Sequence, residues 1–439
     1  MSEELIVIGG GLAGSEAAWQ AAKRGVGVAL YEMRPARMTE AHATSLLGEL
    51  VCSNSLRSND PLSAPGILKR ELSAAGSLIM EAAEACSVPA GSALAVDRGL
   101  FAEYITGRLL SRPGIRIIRE ECSSLPDTPA IIATGPLTSP RMSEALAALA
   151  GKEHLYFYDA IAPIIDAGSI DYGKVYRLSR YGKGGDDYLN CPLQRDEYDR
   201  FFQAVLQAEK VNPRGFEEKK VFEGCMPIEV MASRGFDTMR FGPMKPVGLP
   251  DPATGREPFS VVQLRSENRE KTSYNMVGFQ TRLTWPEQKR VFRMIPGLEN
   301  AEFLRYGSIH RNTFLNSPLL LNRDLSFRNK PDLLLAGQIT GVEGYMESTA
   351  MGLIAGINAA LKMKGRKPPP VPPEAAHGAL IRHITGSDSS RFQPSNINFG
   401  LFPAAGLPEK RRDKGLKKAR IAERALAAWK SYLAEVDAE

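Results

Sequence analysis

Leu5-Ile-Val-Ile-Gly9-Gly-Gly11-Leu-Ala-Gly14 stands almost at the start of this 439-residue chain, and its reading decides the fold. Leu5 to Ile8 is a short apolar run rich in β-branched residues, which predicts a buried parallel strand. Gly9, Gly11 and Gly14 then give G-x-G-x-x-G. Gly9 permits a tight turn, Gly11 lets backbone N–H groups approach a pyrophosphate, and Gly14 lets the following helix lie close to the strand. That helix is rich in small residues (Ala17, Ala18, Ala21, Ala22), and its N-terminus, with Gly10, Leu12 and Ala13, presents partial positive charge to the pyrophosphate. A second strand, Val26 to Tyr31, ends in Glu32, a carboxylate placed to accept from a ribose 2′-hydroxyl. Strand, glycines, helix, second strand and terminal acid occur in order, so the stretch reads as a dinucleotide site. The carboxylate favours FAD or NAD over NADP.

The composition, 43% hydrophobic and 24% charged, is that of a globular chain long enough for two or three domains. Five cysteines, at 52, 86, 122, 191 and 225, form no C-x-x-C pair, which argues against a disulfide framework or a zinc ribbon and suits a reducing compartment. No basic and apolar leader precedes the first strand and no run of eighteen apolar residues occurs, so the expectation is a cytoplasmic protein without metal. The net charge of +5 is uneven: residues 410–430 hold nine Lys or Arg against Asp413 and Glu423, a net +7, leaving the rest at −2. Such a segment reads either as a polyanion contact or as a solvated helix face.

Taken in order, the polar loop after the second strand contains Cys52-Ser-Asn-Ser-Leu-Arg57, whose polar neighbours suit a reactive thiol more than a packed one. Residues 65–84 predict one amphipathic helix, Asp97 predicts the N-cap of another, and Ile115–Ile118 and Ala130–Gly135 predict strands. This is half of a doubly wound sheet, with Thr134 and Gly135 at the end of its third glycine-terminated strand. Residues 155–300 change texture, with aromatics, short mixed strands and turn signals, and read as an inserted α+β domain. Cys225, between Gly224 and Pro227, is either a thiol presented on a bend or an inert residue in a turn. Arg282, Trp285, His310 and Arg311 belong to a series of basic and aromatic residues that suits stacking on bases and pairing with phosphates, or equally a core with an Arg rim.

The dinucleotide fold resumes at residues 331–338, a strand ending at Gly337-Gln338, followed by Gly344-Tyr345 and a small-residue helix. This resembles the second flavin motif of glutathione-reductase-type enzymes, where the helix N-terminus addresses the flavin ring. Gln338 stands where many of those enzymes carry Asp. Recurrence of the pattern more than 300 residues after the first separates a flavoprotein from a simple NAD module. The expected architecture is α/β: a glutathione-reductase-type FAD-binding Rossmann fold with a doubly wound sheet and a smaller inserted α+β domain. Its boundaries are expected at 1–150, 151–320 and 321–439, the last part ending in a basic helix.

Five motifs carry a closer resemblance: Cys52 to Arg57, Gly224-Cys-Met-Pro-Ile-Glu229, His310-Arg-Asn-Thr-Phe314, Gly341-Val-Glu-Gly-Tyr-Met-Glu-Ser348 and Asn396-Ile-Asn-Phe-Gly-Leu-Phe402. On these the chain resembles the folate- and FAD-dependent tRNA (uracil-5-)-methyltransferases over essentially its whole length. The related tRNA wobble-uridine modification flavoproteins share the scaffold but are longer and lack the pairing of the two cysteine motifs. A flavin-dependent oxidoreductase is the other alternative.

The resemblance implies methylation of the T-loop uridine of tRNA. Methylenetetrahydrofolate is the carbon donor, FAD the cofactor and NAD(P)H the reductant. It implies that Cys225 adds to uracil C6, and that Cys52 acts beside the flavin on the one-carbon unit or as the base for the C5 proton. It also makes His310, Arg311 and Arg282 candidates for folate or tRNA contacts.

Overall fold

The computed structural model describes residues 4–39, 41–151, 154–160, 162–182, 185–211, 226–403 and 414–438, with backbone alone for 154–160, 309–312 and 414. Leu5–Ile8 pairs in parallel with Val28–Tyr31 on one side and Ala130–Ile132 on the other. Ile115–Ile118 and Lys330–Leu335 extend the sheet outward, and Ser326–Phe327 closes one edge antiparallel. The central strands are buried on both faces, as their apolar runs demand. Chain order reverses between Leu5–Ile8 and Ala130–Ile132, and the crevice beyond the carboxyl ends of these strands is where such sheets bind ligands.

Two helices flank that crevice, Leu12–Lys23 and Tyr345–Met363, and they pack backbone to backbone. A Cβ on Gly352 would lie 2.2 Å from the Ala13 carbonyl oxygen, and one on Gly356 would lie 2.4 Å from that of Ala17. The small residues of both helices therefore set how near their N-termini stand to each other. Gly352→Ala is expected to cost roughly 1–3 kcal/mol by overpacking, read as a lower urea midpoint. An unchanged midpoint would mean that the two helices do not approach this closely.

A second six-stranded sheet is antiparallel, in the order Tyr176–Arg177, Tyr188–Leu193, Ser260–Ser266, Ser273–Met276, Ile164–Asp166, Phe303–Arg305. Its core is aromatic, with Tyr198, Phe201, Phe279 and Phe292 all inaccessible to solvent. The antiparallel ribbon of His154–Ala160 and Ile309–Leu315 carries the chain out to this unit and back. The architecture is the doubly wound sheet with an inserted α+β domain that the sequence predicts.

Two local readings change. The helix expected over 65–84 is two helices, Ala64–Ala74 and Leu78–Ala85, because Gly76 takes φ +69° and the Ser77 side chain caps the second by accepting from Met80 N. For the last helix, Lys414–Asp437, spacings of four and three predict a docking stripe of Ala422, Leu426, Trp429, Leu433 and Val436; it docks through Ala422, Ala425, Trp429, Tyr432 and Val436, with Leu426 and Leu433 only half-buried. Trp429 stacks on His377 at 4.1 Å, and its indole N–H donates to the Glu71 carbonyl oxygen at 2.7 Å. Among the described residues, no helix is long and apolar enough to cross a membrane.

Candidate active site

A cavity opens along the crevice. Gly9, Gly11 and Glu32 line it together with Thr134, Gly135, Gly337, Gln338, Tyr345 and Ser348. Leu12 and Ala13 line it too, at the start of the first helix. A Cβ on Gly14 would lie 1.8 Å from the Gly9 carbonyl oxygen, so that glycine is needed for helix–strand contact. A Cβ on Gly11 would meet no protein atom within 4 Å, so its backbone lies open to whatever fills the cavity. Gly344, with φ +119°, caps the N-terminus of the second helix. A cavity lined by a helix N-terminus, a bare glycine backbone and a carboxylate fits a dinucleotide. These residues would hold FAD with its adenosine toward Glu32.

Glu32 is more deeply engaged than its position in the sequence suggests. One carboxylate oxygen accepts from Gly10 N at 2.9 Å, and the other from Arg34 Nε at 2.9 Å. Burial pushes this carboxyl up, but the hydrogen bonds from Arg34 more than offset it and hold it below the usual carboxylate range. Arg34 is itself buried and donates also to Glu49 at 2.9 Å. Its charge is thus met by two carboxylates, which leaves it little attraction for a ribose 2′-phosphate. The preference for a free 2′-hydroxyl, read from Glu32 alone, rests on this buried triad.

His42 lines the same cavity, with Nδ1 2.6 Å from the Thr39 hydroxyl. Burial and the nearby Arg34 guanidinium depress its pKa to about 4. The unfolded chain therefore binds a proton near pH 6.5 that the folded apoprotein refuses until about pH 4, so stability falls as pH drops through that window. His42→Gln is expected to flatten the fall in melting temperature of the apoprotein between pH 6.5 and 4. Identical profiles for the two proteins would refute the assignment.

Beside the cavity, Cys52 is tied to Tyr345, which lines it. The tyrosine Oη accepts from Cys52 N at 2.9 Å and Ser53 N at 3.2 Å, and lies 3.0 Å from Cys52 Sγ. Both lone pairs of the oxygen are occupied by amide hydrogens, so its own hydrogen points to sulfur. Burial and the neighbouring Cys52 hold the hydroxyl protonated well above the usual tyrosine range, so it remains a donor at any working pH. Arg98 and Arg305 act electrostatically on both Cys52 and Tyr345. A donor and two cations around a sulfur favour the thiolate, the nucleophilic form.

The loop itself is pinned from every side. Arg265, from the antiparallel sheet, donates to Asn54 Oδ1 at 2.9 Å and Ser53 Oγ at 2.8 Å. Arg98 donates to the Leu50 carbonyl oxygen at 2.8 Å and pairs with Glu267 at 2.8 Å. Arg57 reaches Glu347 at 3.3 Å, and Glu347 also accepts from Ile397 N at 3.0 Å. The loop at 395–398 thus buttresses the second flavin-like motif, with Glu343 N donating to the Ser395 carbonyl oxygen at 2.9 Å. The motifs at Cys52, Gly341 and Asn396, far apart in sequence, meet here.

The other candidates stand differently. Arg282 is committed to Glu229, whose carboxylate accepts from Arg282 N at 3.0 Å and lies 3.4 Å from its Nε. Gln338 lines the cavity and donates to Glu343 at 2.9 Å, so a carboxylate five positions on is hydrogen-bonded to the residue that stands where many flavoproteins carry Asp. His310 and Arg311 lie in the strand Ile309–Leu315, and their side chains are outside the described residues. Cys225 also lies outside them. Sequence reasoning missed Arg34, His42, Glu49, Arg98, Arg265 and Glu347. Arg34 lies two residues beyond Glu32, Arg98 beside the Asp97 cap, Glu49 just before the Cys52 motif, Arg265 in the basic and aromatic series and Glu347 inside the Gly341 motif, but their partners in the fold left no sequence signal.

The sequence pattern of the family described as glucose inhibited division protein A matches residues 4–367. A protein of Moorella thermoacetica named methylenetetrahydrofolate--tRNA-(uracil-5-)-methyltransferase TrmFO is 58% identical over 432 residues, 98% of each chain. The chain belongs to the TrmFO family, within the wider glucose inhibited division protein A family. Geobacter sulfurreducens TrmFO is likewise 58% identical, over 99% of this chain and 100% of its own. Aquifex aeolicus GidA superposes with a TM-score of 0.69 at 17% identity, over 98% of this chain and 73% of that one, and shows the same fold. The doubly wound scaffold is therefore common to this chain and the more distant GidA.

Proposed function

We propose that this chain methylates C5 of a tRNA uridine to give 5-methyluridine in the T loop, with methylenetetrahydrofolate as carbon donor. The observation that carries the reading is Cys52, held at 3.0 Å by Tyr345, whose side chain lines the dinucleotide cavity beside Val51. The family name of the near full-length relatives points to the same substrate pair. When bound, FAD supplies the electrons, drawn from NAD(P)H, that bring the transferred carbon to the methyl level.

The protein's own part is thiol and proton chemistry. Uracil C5 is a poor nucleophile until C6 is attacked. Cys225 forms a sulfur–C6 bond, the C5=C6 electron pair moves into an enolate, and C5 attacks the one-carbon unit. A base then takes the C5 proton, and the electron pair left on C5 expels the carrier nitrogen to leave an exocyclic methylene; when a hydride equivalent adds to that methylene, the C5=C6 bond re-forms as sulfur leaves C6. Cys52, beside the cavity-lining Val51 and Tyr345 and within the field of Arg98 and Arg305, is assigned to that proton. The uridine must leave its stack to reach a recessed site. Arg265, Arg98 and Glu347 position the Cys52 loop without touching the reacting atoms. Incubation with methylene-labelled tetrahydrofolate, NADPH and unmodified tRNA is expected to place label in tRNA uridine. Reduction of FAD with no label in tRNA would leave only an oxidoreductase.

A further inference from the structure

The antiparallel sheet carries a ladder of aromatic rings that ends in water. It begins at Phe292, inaccessible in the core, whose ring centroid is 6.4 Å from that of Phe303. Phe303 lies 5.2 Å from Tyr306 at an interplanar angle of 20°, and Tyr306 lies 5.4 Å from Trp285 at 14°. Trp285 is 63% exposed, whereas Trp19 and Trp429 are 8% and 1% exposed. An exposed indole held parallel to a second ring is a prepared surface, since its outer face is free and its orientation is already fixed.

The fixing is done by Gln288. Its amide donates to the Leu283 and Gly307 carbonyl oxygens at 2.7 and 2.8 Å, and accepts from Gly307 N at 2.7 Å. This fastens the loop bearing Tyr306 to the helix Trp285–Phe292 that bears the tryptophan. Lys289 is exposed one turn along that helix from Trp285, on the same face. The platform is linked to the Cys52 loop and to the helix Ile228–Ser233. Tyr306 follows Arg305, whose charge acts on Cys52, and Trp285 lies three residues from Arg282, which fastens the helix Ile228–Ser233 that begins three residues after Cys225.

We propose that Trp285, backed by Tyr306 and Phe303, is the stacking platform for one unpaired base of the tRNA, with Lys289 on a neighbouring phosphate. The inference rests on the reading of tRNA as substrate. Extrusion of the target uridine leaves a neighbour without its stacking partner, and an indole face accepts any base. A positive side chain one turn away matches the backbone charge of a nucleic acid.

Trp285 is its own reporter, because acrylamide reaches an exposed indole far more readily than the two buried ones. With the FAD-loaded full chain, an unmodified tRNA transcript is expected to quench Trp285 emission and protect it from acrylamide. Trp285→Ala is expected to weaken tRNA binding about tenfold or more, with FAD content and melting temperature unchanged, and Trp285→Phe to restore part of the loss. Lys289→Ala is expected to lower the salt dependence of binding by about one phosphate contact. If the wild type binds tRNA and Trp285→Ala binds it equally well, the platform is refuted and the substrate reading stands. If methylenetetrahydrofolate alone protects Trp285 and tRNA adds nothing, the platform belongs to folate and the proposal fails. If the wild type binds no tRNA, both fail.

Discussion

Cys225→Ala is expected to abolish the covalent complex with tRNA carrying 5-fluorouracil at the target position, and to lower methyl transfer by about 10⁴-fold or more. The size follows from the chemistry, since removing a nucleophile removes the step that creates the reactive carbon rather than one contact to it. Fluorine at C5 cannot leave as a proton does, so the wild-type enzyme is expected to be caught with its sulfur on C6, as a band shifted in denaturing gels. FAD content should not change, because the cofactor cavity is built from residues 8–142 and 337–348. A Cys225→Ala protein that still gives the shifted band would transfer the nucleophile's role to another thiol, with Cys52 the first to test.

Tyr345→Phe is expected to have the second largest effect, through the other cysteine. The substitution keeps the ring and removes an oxygen that accepts two amide hydrogens and donates to Cys52 Sγ at 3.0 Å. The two amides lose their partner, and the thiolate loses a hydrogen bond to a charged group, worth about 1.5–3 kcal/mol. Iodoacetamide alkylation of Cys52 at neutral pH is therefore expected to slow about tenfold. The difference should vanish at high pH, where the sulfur is ionised in both proteins. Methyl transfer should fall by a similar or larger factor. Equal alkylation rates across the pH range would show that the hydroxyl hydrogen does not reach the sulfur.

The scaffold was legible because backbone geometry imposes it locally. Gly9 at φ +107° and the contact of Gly14 with Gly9 leave no room for a side chain, so the glycines must appear in the sequence at that spacing. The parallel strands announce themselves as apolar runs because both faces are covered. The site was legible only in part. Cys52, Tyr345 and Gln338 sit within motifs, but the residues that charge and orient them come from other elements. Arg265 reaches Asn54 across 211 positions, and Glu347 reaches Arg57 across 290. Pairing at such separations leaves no periodicity to read.

Two further misses have physical reasons. The break at Gly76 is set by a glycine in the left-handed region and a serine cap, signals that the apolar stripe through residues 68–79 overrode. The segment at 392–402 had no account from its own residues. Its Ser395 and Ile397 backbone groups serve the loop and helix beginning at Gly341, which only the fold brings near.

The central claim is that the reactive end of the cofactor lies at Tyr345 and Cys52, with adenosine at Glu32. A crystal structure of the chain with FAD and tetrahydrofolate bound tests it most directly, by the position of the flavin ring and its distance from Cys52 Sγ. The account predicts the ring against Tyr345 in van der Waals contact, about 4 Å, with the adenine ribose at Glu32. A flavin ring lodged at Glu32, or one remote from both Tyr345 and Cys52, would contradict it.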